Sequence, residues 1–544
     1  MTGTVEQLAT YRHVIGAKWT TRVSRFVNSI WPVSVVIGAR RVTRRGQMNT
    51  RQRIKAGCLE VGLLSLSLVM SGCGPVTPKP TPTSSPLVSP TPTTTPTATP
   101  TPAPENLSDA KDLHVWIYDY VHAYGGTVTV NGAKRDANQL LGAVKASPGS
   151  FIERRTIKGR AAALFVVNGV PLAIQQNGAW RSILARDISD AVDGQFAMPV
   201  LAYQIWNPDF VKVVQNANML TISADLDNKV IFKTMTTQDW KNLLQNWTAI
   251  KAQLDAGQVP TGIPYDWSGA DQIVEFARTN HMSMKGTGLV WNGDIPDSIR
   301  KGAFSKADLL KYLEFTISVK LLRYKDDIAE WHAESELVDT QFSTDEWGFW
   351  SQNVGILDAT RLSARLIRRI APHAKIDIVD DYILEEHYYG LQPGLGQQYL
   401  EFAKTLKQEG LVDRAEIENN MWIWDMPTQA HMEQFLRKIQ GLGIALSAPE
   451  ITVCPTKNFP LGGPRKVWAK IDDPQKAMAE GYRRVVAAYL NVGATDIGLG
   501  DVGDAISWGN WLAPGTDMCL WDSAWKPKMG YYEILSLMYH GFIH

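Results

Sequence analysis

The chain has 544 residues, of which 20 % are charged and 44 % hydrophobic, and its net charge is +1. That length allows about two to four average domains, or one large barrel with additions, and the composition is that of a soluble globular protein. A charge balance so near zero removes any global electrostatic case for nucleic-acid binding.

Residues 1–47 are basic around Arg40, Arg41, Arg44 and Arg45. They read either as an over-extended start upstream of Met48 or as a basic cytoplasmic tail. Residues 48–73 have the layout of a bacterial lipoprotein signal peptide. Arg51, Arg53 and Lys55 form a basic start, an apolar run goes from Leu59 to Met70, and Met70-Ser71-Gly72-Cys73 resembles a lipobox with Cys73 as the lipidated residue. The run is too short for a comfortable transmembrane span, although an uncleaved signal anchor is the alternative. Residues 74–104 are a Pro-, Thr- and Ser-rich run with Lys79 as its only charge. Such a segment buries no core and favours extended polyproline conformations, so it reads as a spacer lifting a domain off a membrane surface. The expected location is therefore extracytoplasmic, anchored to the cell membrane.

Residues 105–195 read as a small α+β region. A helical stretch runs from Asp109 to Tyr124. Leu164–Val167 and Val170–Ile174 flank Asn168-Gly169, the dipeptide of a tight hairpin. No catalytic constellation is visible there. The region is expected to be a structural subdomain packed on a C-terminal barrel, with a glycan-binding module as the alternative.

From about residue 196 short apolar strands alternate with amphipathic stretches. The strands are expected at Ala197–Tyr203, Met219–Ala224, Met284–Trp291, Ile328–Glu336, Lys375–Tyr382, Ala415–Met421, Ile444–Ile451 and Thr495–Gly500. Eight strands alternating with helices predict a (β/α)8 TIM barrel over 196–544, with its active site at the C-terminal strand ends. Glu336 and Glu450 fall at two such ends, those of strands four and seven. Hydrolysis of a glycosidic bond needs a pair of carboxyl groups flanking it. Nineteen tryptophans are many for this length; they either pack the core or stack on sugar rings. The mature domain holds Cys454 and Cys519, which either pair or remain free thiols. No Cys-x-x-Cys or His/Cys cluster suggests zinc.

Several segments carry a family resemblance. They are Tyr265-Asp266-Trp267 through Asn280, Leu289-Val290-Trp291 with Pro296, and Arg323-Tyr324-Lys325 leading to Trp331 and Glu336. Asp381-Tyr382, Leu442-Gly443 counted forward to Glu450, and Tyr482-Arg483-Arg484 come next. Asp504, Ser507-Trp508, Leu520-Trp521-Asp522, Lys526-Pro527-Lys528 and Tyr531-Tyr532 complete the series. In this order and spacing they resemble glycoside hydrolase family 10, the endo-β-1,4-xylanases and relatives. The resemblance implies that Glu336 is the acid/base and Glu450 the nucleophile of a retaining β-glycosidase. It implies substrate contacts at Trp291, Asn292, Ser335, Asp381, Tyr382, Glu418, Asn420 and Trp508, with Asp380, Asp501 and Asp504 as weaker candidates. No metal or cofactor is required, and the expected partners are a polysaccharide or oligosaccharide substrate and the membrane, the protein acting as a monomer.

The residues around the glutamates depart from the family pattern. The histidines flanking the strand-three motif are Thr287 and Asn292, and the asparagine before the acid/base is Ser335. The strand-six glutamine and histidine are Glu418 and Asn420. The histidine three residues before the nucleophile is Ser447, the strand-eight tryptophan is Gly500, and the polar motif after strand two is reduced to Asp225–Lys229. The catalytic carboxyls are kept while the sugar pocket is rebuilt. Three readings are open: a β-glycosidase on xylan or a related β-1,4-glycan, a catalytically impaired glycan-binding lipoprotein using the same cleft, and a structural surface protein with a relic barrel.

Overall fold

The computed structural model describes residues 107–543, apart from 177, 382, 385–393, 424–425, 456–472 and 513–516. The expected signal peptide with Cys73, the spacer, the basic start and Tyr382 lie outside the described residues.

The first elements are a helix, Leu113–Ala123, a small hairpin of β1 (Val128–Val130) and β2 (Ala133–Arg135), and a helix, Ala137–Ala146. The second helix starts with a capping box, in which the Asp136 carboxylate accepts from the Gln139 N–H and the Gln139 side chain accepts from the Asp136 N–H. An antiparallel sheet comes next: β3 (Ile152–Ile157), β4 (Arg160–Val167), β5 (Val170–Gln176) and β6 (Ala179–Ser182). Asn168 and Gly169 join β4 to β5 with φ of 52° and 77°, the paired positive angles that a two-residue hairpin requires. A side chain at Gly169 would meet the His540 imidazole at 2.7 Å, so the turn sits directly against the last helix, Met529–Phe542. Ser536 donates to the Gly169 carbonyl, Tyr539 to Glu153, and Tyr124 to Glu533. Tyr120 meets Tyr532 edge-on. Leu164 through Val167 are all buried, so β4 has cover on both faces.

Eight parallel strands form a closed barrel: β7 (Gln195–Val200), β8 (Met219–Ile222), β9 (Ser283–Gly286), β10 (Glu330–Ser335), β11 (Lys375–Asp381), β12 (Arg414–Trp422), β13 (Ala445–Cys454) and β14 (Asp496–Leu499). The ring closes where β14 pairs with β7, Asp496 opposite Gln195. Outside the ring the helix Ile356–Ile370 buries one stripe, Ala359, Thr360, Ser363, Ala364, Leu366 and Ile367. This is the expected (β/α)8 architecture. β9 is shorter than expected: it ends at Gly286, and only a single bridge from Trp291 to Ser335 resumes the pairing.

The lower half of the barrel interior is charged rather than aliphatic. Lys285 contacts Glu416 and lies 3.4 Å from Glu330 and 3.9 Å from Asp377. Arg414 bridges Glu330 at 3.0 Å and Asp496 at 2.9 Å. His332 lies 2.8 Å from Glu416. Burial alone would raise the Glu416 carboxyl, but Lys285, His332 and Arg414 together hold it well below the usual range. Burial and the carboxylates of Glu416 and Glu330 push Asp377 well above it. The network thus pushes neighbouring acids of one layer in opposite directions.

Candidate active site

Glu336 comes directly after β10. Its backbone is left-handed, φ 55° and ψ 36°, a conformation that costs a non-glycine residue about 1–3 kcal/mol and clusters at functional sites. Several contacts hold it there. Its N–H donates to the Val379 carbonyl at 2.9 Å, and the Thr340 hydroxyl donates to the Glu336 carbonyl. The next turn, Leu337–Thr340, points its free N–H groups at two buried acids. Leu337 donates to Glu334, and Val338 and Asp339 donate to the two oxygens of Asp380 at 2.9 and 3.0 Å. Val379 also donates to Glu334, at 3.0 Å. Burial pushes the Glu334 carboxyl up to about 8, against these N–H groups and helped by Asp339 and Glu336. Burial and Glu334 also push Asp380 well above the carboxylate range.

Glu450 is presented by a different device. Between Ser447 and Ile451 β13 advances four residues while β12 advances three, Glu416 to Asn419. From Ala448 to Ile451 it advances three while β14 advances two, Ile497 to Leu499. One extra residue is therefore inserted at Pro449-Glu450, a bulge that re-aims the side chain. A glycine of the neighbouring strand β14, Gly498, and one just past its end, Gly500, accommodate it. A Cβ at Gly498 would meet the Pro449 carbonyl at 2.4 Å, and one at Gly500 would meet the Thr452 hydroxyl at 2.3 Å and the Glu450 Cβ at 3.5 Å. Gly500 thus has a local reason: the first atom of a larger side chain would run into the Thr452 hydroxyl and crowd the Asn420 amide oxygen at 3.2 Å. Asn420 donates its amide to Glu450 at 3.4 Å and lies equally far from Glu418. Glu418 in turn stands opposite Asp381 across β11 and β12.

The other expected contacts divide. Trp291 is half-buried and its ring lies over Gly293, where a Cβ would come within 2.4 Å of it. Ser335 and Asp381 are buried beside the mouth. Trp508 is half-buried, lines a small pocket with Asn420, Thr452, Cys454 and Met518, and donates its backbone N–H to Asp501 at 2.8 Å. Asp501 is 7 % exposed, and burial pushes its carboxyl up to about 7. Asn292 and Asp504 are tied into their surroundings. Asn292 is buried like Glu336 itself, and its amide donates to the Thr340 hydroxyl and accepts from the Trp350 N–H, which links it to the turn after Glu336. Asp504 is salt-bridged to Lys528 at 2.7 Å and accepts from the Cys519 N–H, so it fastens the last loop. Cys454 and Cys519 are both buried and free of any disulfide.

Trp331, Trp347, Trp350, Trp422 and Trp521 are buried, so core packing accounts for them. Glu334 is a site residue that the sequence reading misses. Its signal is the polar alternation His332, Glu334, Glu336 in an apolar run, although the register against β11 shifts between His332 and Glu334. Among the described residues the one group with metal-ligand spacing is His332, Asp377 and Glu416. The Lys285 ammonium already occupies the electrostatic place of a cation there.

The family model for glycosyl hydrolase family 10 matches residues 211–537. Among curated proteins, the chain is 22 % identical over 277 residues to endo-1,4-beta-xylanase 5 of Pyricularia oryzae, covering 50 % of this chain and 64 % of that protein. It is 23 % identical over 292 residues to endo-1,4-beta-xylanase D of Talaromyces funiculosus, covering 52 % and 65 %. The match thus spans slightly less than two thirds of these relatives. Among solved structures, xylanase 10B from Thermotoga maritima superposes with a TM-score of 0.51 at 20 % identity, over 66 % of this chain and 98 % of that one. A xylanase 10C variant from Cellvibrio japonicus in complex with xylopentaose gives 0.52 at 17 % identity, over 64 % and 67 %. At such identities the structural likeness shows a shared fold. With the family model covering more than half of its length, the chain belongs to glycosyl hydrolase family 10.

Proposed function

We propose that this protein is a retaining β-glycosidase acting on a β-1,4-linked polysaccharide, xylan or a related glycan, at the cell surface. The observation that carries this reading is the separate backbone device behind each carboxylate: a left-handed residue at Glu336 and a bulge at Glu450. Glu336 protonates the leaving oxygen and then activates water, while Glu450 attacks the anomeric carbon and forms the glycosyl-enzyme. That division requires the two carboxyls to stand about 5–5.5 Å apart. Asn420 orients Glu450 through its amide. The test is reducing-sugar release from a panel of β-linked glycans, with Glu450→Ala as control. Release that is lost in the variant supports hydrolysis and identifies the substrate.

One observation favours a second reading, a glycan-binding lipoprotein without turnover. Glu418 lies one amide away from Glu450, and Ser335 offers less to a sugar 2-hydroxyl than asparagine would. That reading predicts glycan binding with no sugar release. Anchoring through lipid at Cys73 is supported by the lipobox-like sequence and the Pro/Thr spacer. Cys73→Ser should shift the protein from the membrane fraction to the soluble fraction, and retention on the membrane would contradict the anchor.

A further inference from the structure

Trp206 is 76 % exposed, the most exposed of the large hydrophobic side chains among the described residues. An indole in water forgoes the burial that gives this residue its value in a core. Flexibility does not explain the position. Trp206 ends a short 3-10 turn, Gln204–Trp206, shortly beyond β7. The turn is pinned on both sides. The buried Gln204 accepts from the Leu201 N–H at 2.9 Å, and the Ala202 N–H donates to Asp225 at 3.0 Å. On the far side Asn207 accepts from the Asp209 N–H at 2.9 Å and caps the helix Pro208–Val214. The indole is therefore held out on a rigid mount.

The mount lies at the C-terminal end of its strand, on the same face as the two glutamates. Glu450 belongs to β13, Asp501 comes after β14 and Trp206 after β7, and these strands are consecutive around the barrel. Tyr203, three residues before Trp206 on the same loop, has a buried phenol raised by that burial and then by the Asp501 carboxylate. The strand order thus places Asp501 and the open indole successively around the rim from the strand of Glu450. A polysaccharide offers the matching chemistry, since one face of each pyranose is a patch of C–H groups that packs on an aromatic ring.

We propose that Trp206 is a stacking platform for a pyranose unit of a bound polysaccharide, outside the cleavage point on the β7 side of the mouth. The proposal rests on the glycan-cleft reading above. Because the mount is pre-ordered, stacking costs little ordering entropy. A gain of the size measured for aromatic pairs corresponds to about a 2- to 12-fold change in affinity. The experiment compares the full chain with Trp206→Ala, Trp206→Phe and, as an exposed aromatic elsewhere, Tyr118→Ala. It measures binding by isothermal titration and hydrolysis, using polymeric xylan and a short aryl xylobioside. Trp206→Ala should weaken polymer binding and raise its KM by that factor, leave kcat and the short substrate unchanged, and be partly rescued by phenylalanine. Tyr118→Ala should match the unaltered chain. Equal polymer affinity in Trp206→Ala and the unaltered chain, with hydrolysis intact, overturns this inference alone. Failure of the unaltered chain to bind any glycan overturns both this inference and the cleft reading. A Trp206→Ala effect seen only on partition to phospholipid vesicles, with none on glycan, assigns the indole to the membrane and also overturns it.

Discussion

Glu334 makes stability depend on pH in a direction opposite to ordinary surface carboxylates. It retains its proton to about 8 in the folded chain, against 4.5 for an ordinary glutamate. Between those values the native state binds more protons than the unfolded state, so stability falls as pH rises. The sign follows from the raised carboxyl: nothing is lost below the unfolded value, and the full loss is reached above the folded one. The gap between the two values corresponds to on the order of 5 kcal/mol, part of it shared with the adjacent Asp380. Glu334→Gln keeps an acceptor for the Val379 and Leu337 N–H groups but has no charge to develop. Urea unfolding of both proteins at pH 5 and at pH 8.5 isolates Glu334 together with the coupled Asp380, because the titrations of distant groups cancel in the difference. The variant should gain several kcal/mol relative to the unaltered protein between the two pH values. If the difference in unfolding free energy is the same at both, Glu334 does not hold its proton as described.

Lys285→Met removes a cation from among Glu416, Glu330 and Asp377 and should cost about 3–5 kcal/mol in urea unfolding. Adding Glu416→Leu should recover much of that loss, and an additive double variant would contradict the coupling. Asn420→Ala withdraws the amide from Glu450 and should lower kcat/KM about tenfold, ~1.4 kcal/mol, while circular dichroism and unfolding stay close to the unaltered chain. Gly500→Ala forces a methyl against the Thr452 hydroxyl and close to the Asn420 amide oxygen; overpacking of this kind should cost about 1–3 kcal/mol and, through Asn420, lower activity as well. An active, fully stable Gly500→Ala would mean that the bulge at Glu450 is not fixed by its neighbour strand.

The barrel is legible in the sequence because its strands are short apolar runs separated by amphipathic stretches, a pattern that survives at low sequence identity. Strand ends are less legible. β9 stops at Gly286 because the chain then takes φ of 45° at Gly288, and nothing in the apolar run Leu289-Val290-Trp291 announces that departure. The positions of Glu336 and Glu450 can be read from spacing. How they are held cannot, since a bulge is defined only by counting residues against partner strands. Asn292 is read at the substrate from its place in the motif, while its partners Thr340 and Trp350, distant in sequence, are set by the fold. The charged interior leaves a trace in the alternation Arg414, Glu416, Glu418, Asn420, although the partner of each charge is set by the ring order of the strands. Trp206 looks like any other tryptophan in the sequence, because exposure is a property of the folded surface.

Covalent trapping tests the division of roles between the two glutamates most directly. The unaltered protein would be incubated with a 2-deoxy-2-fluoro xylobioside carrying a good leaving group, digested, and sequenced by mass spectrometry. A retaining mechanism through Glu450 predicts one added disaccharide on the peptide containing that residue, and none in Glu450→Ala. An adduct on another carboxylate such as Glu418, or sugar release from glycans with no adduct at Glu450, would contradict it.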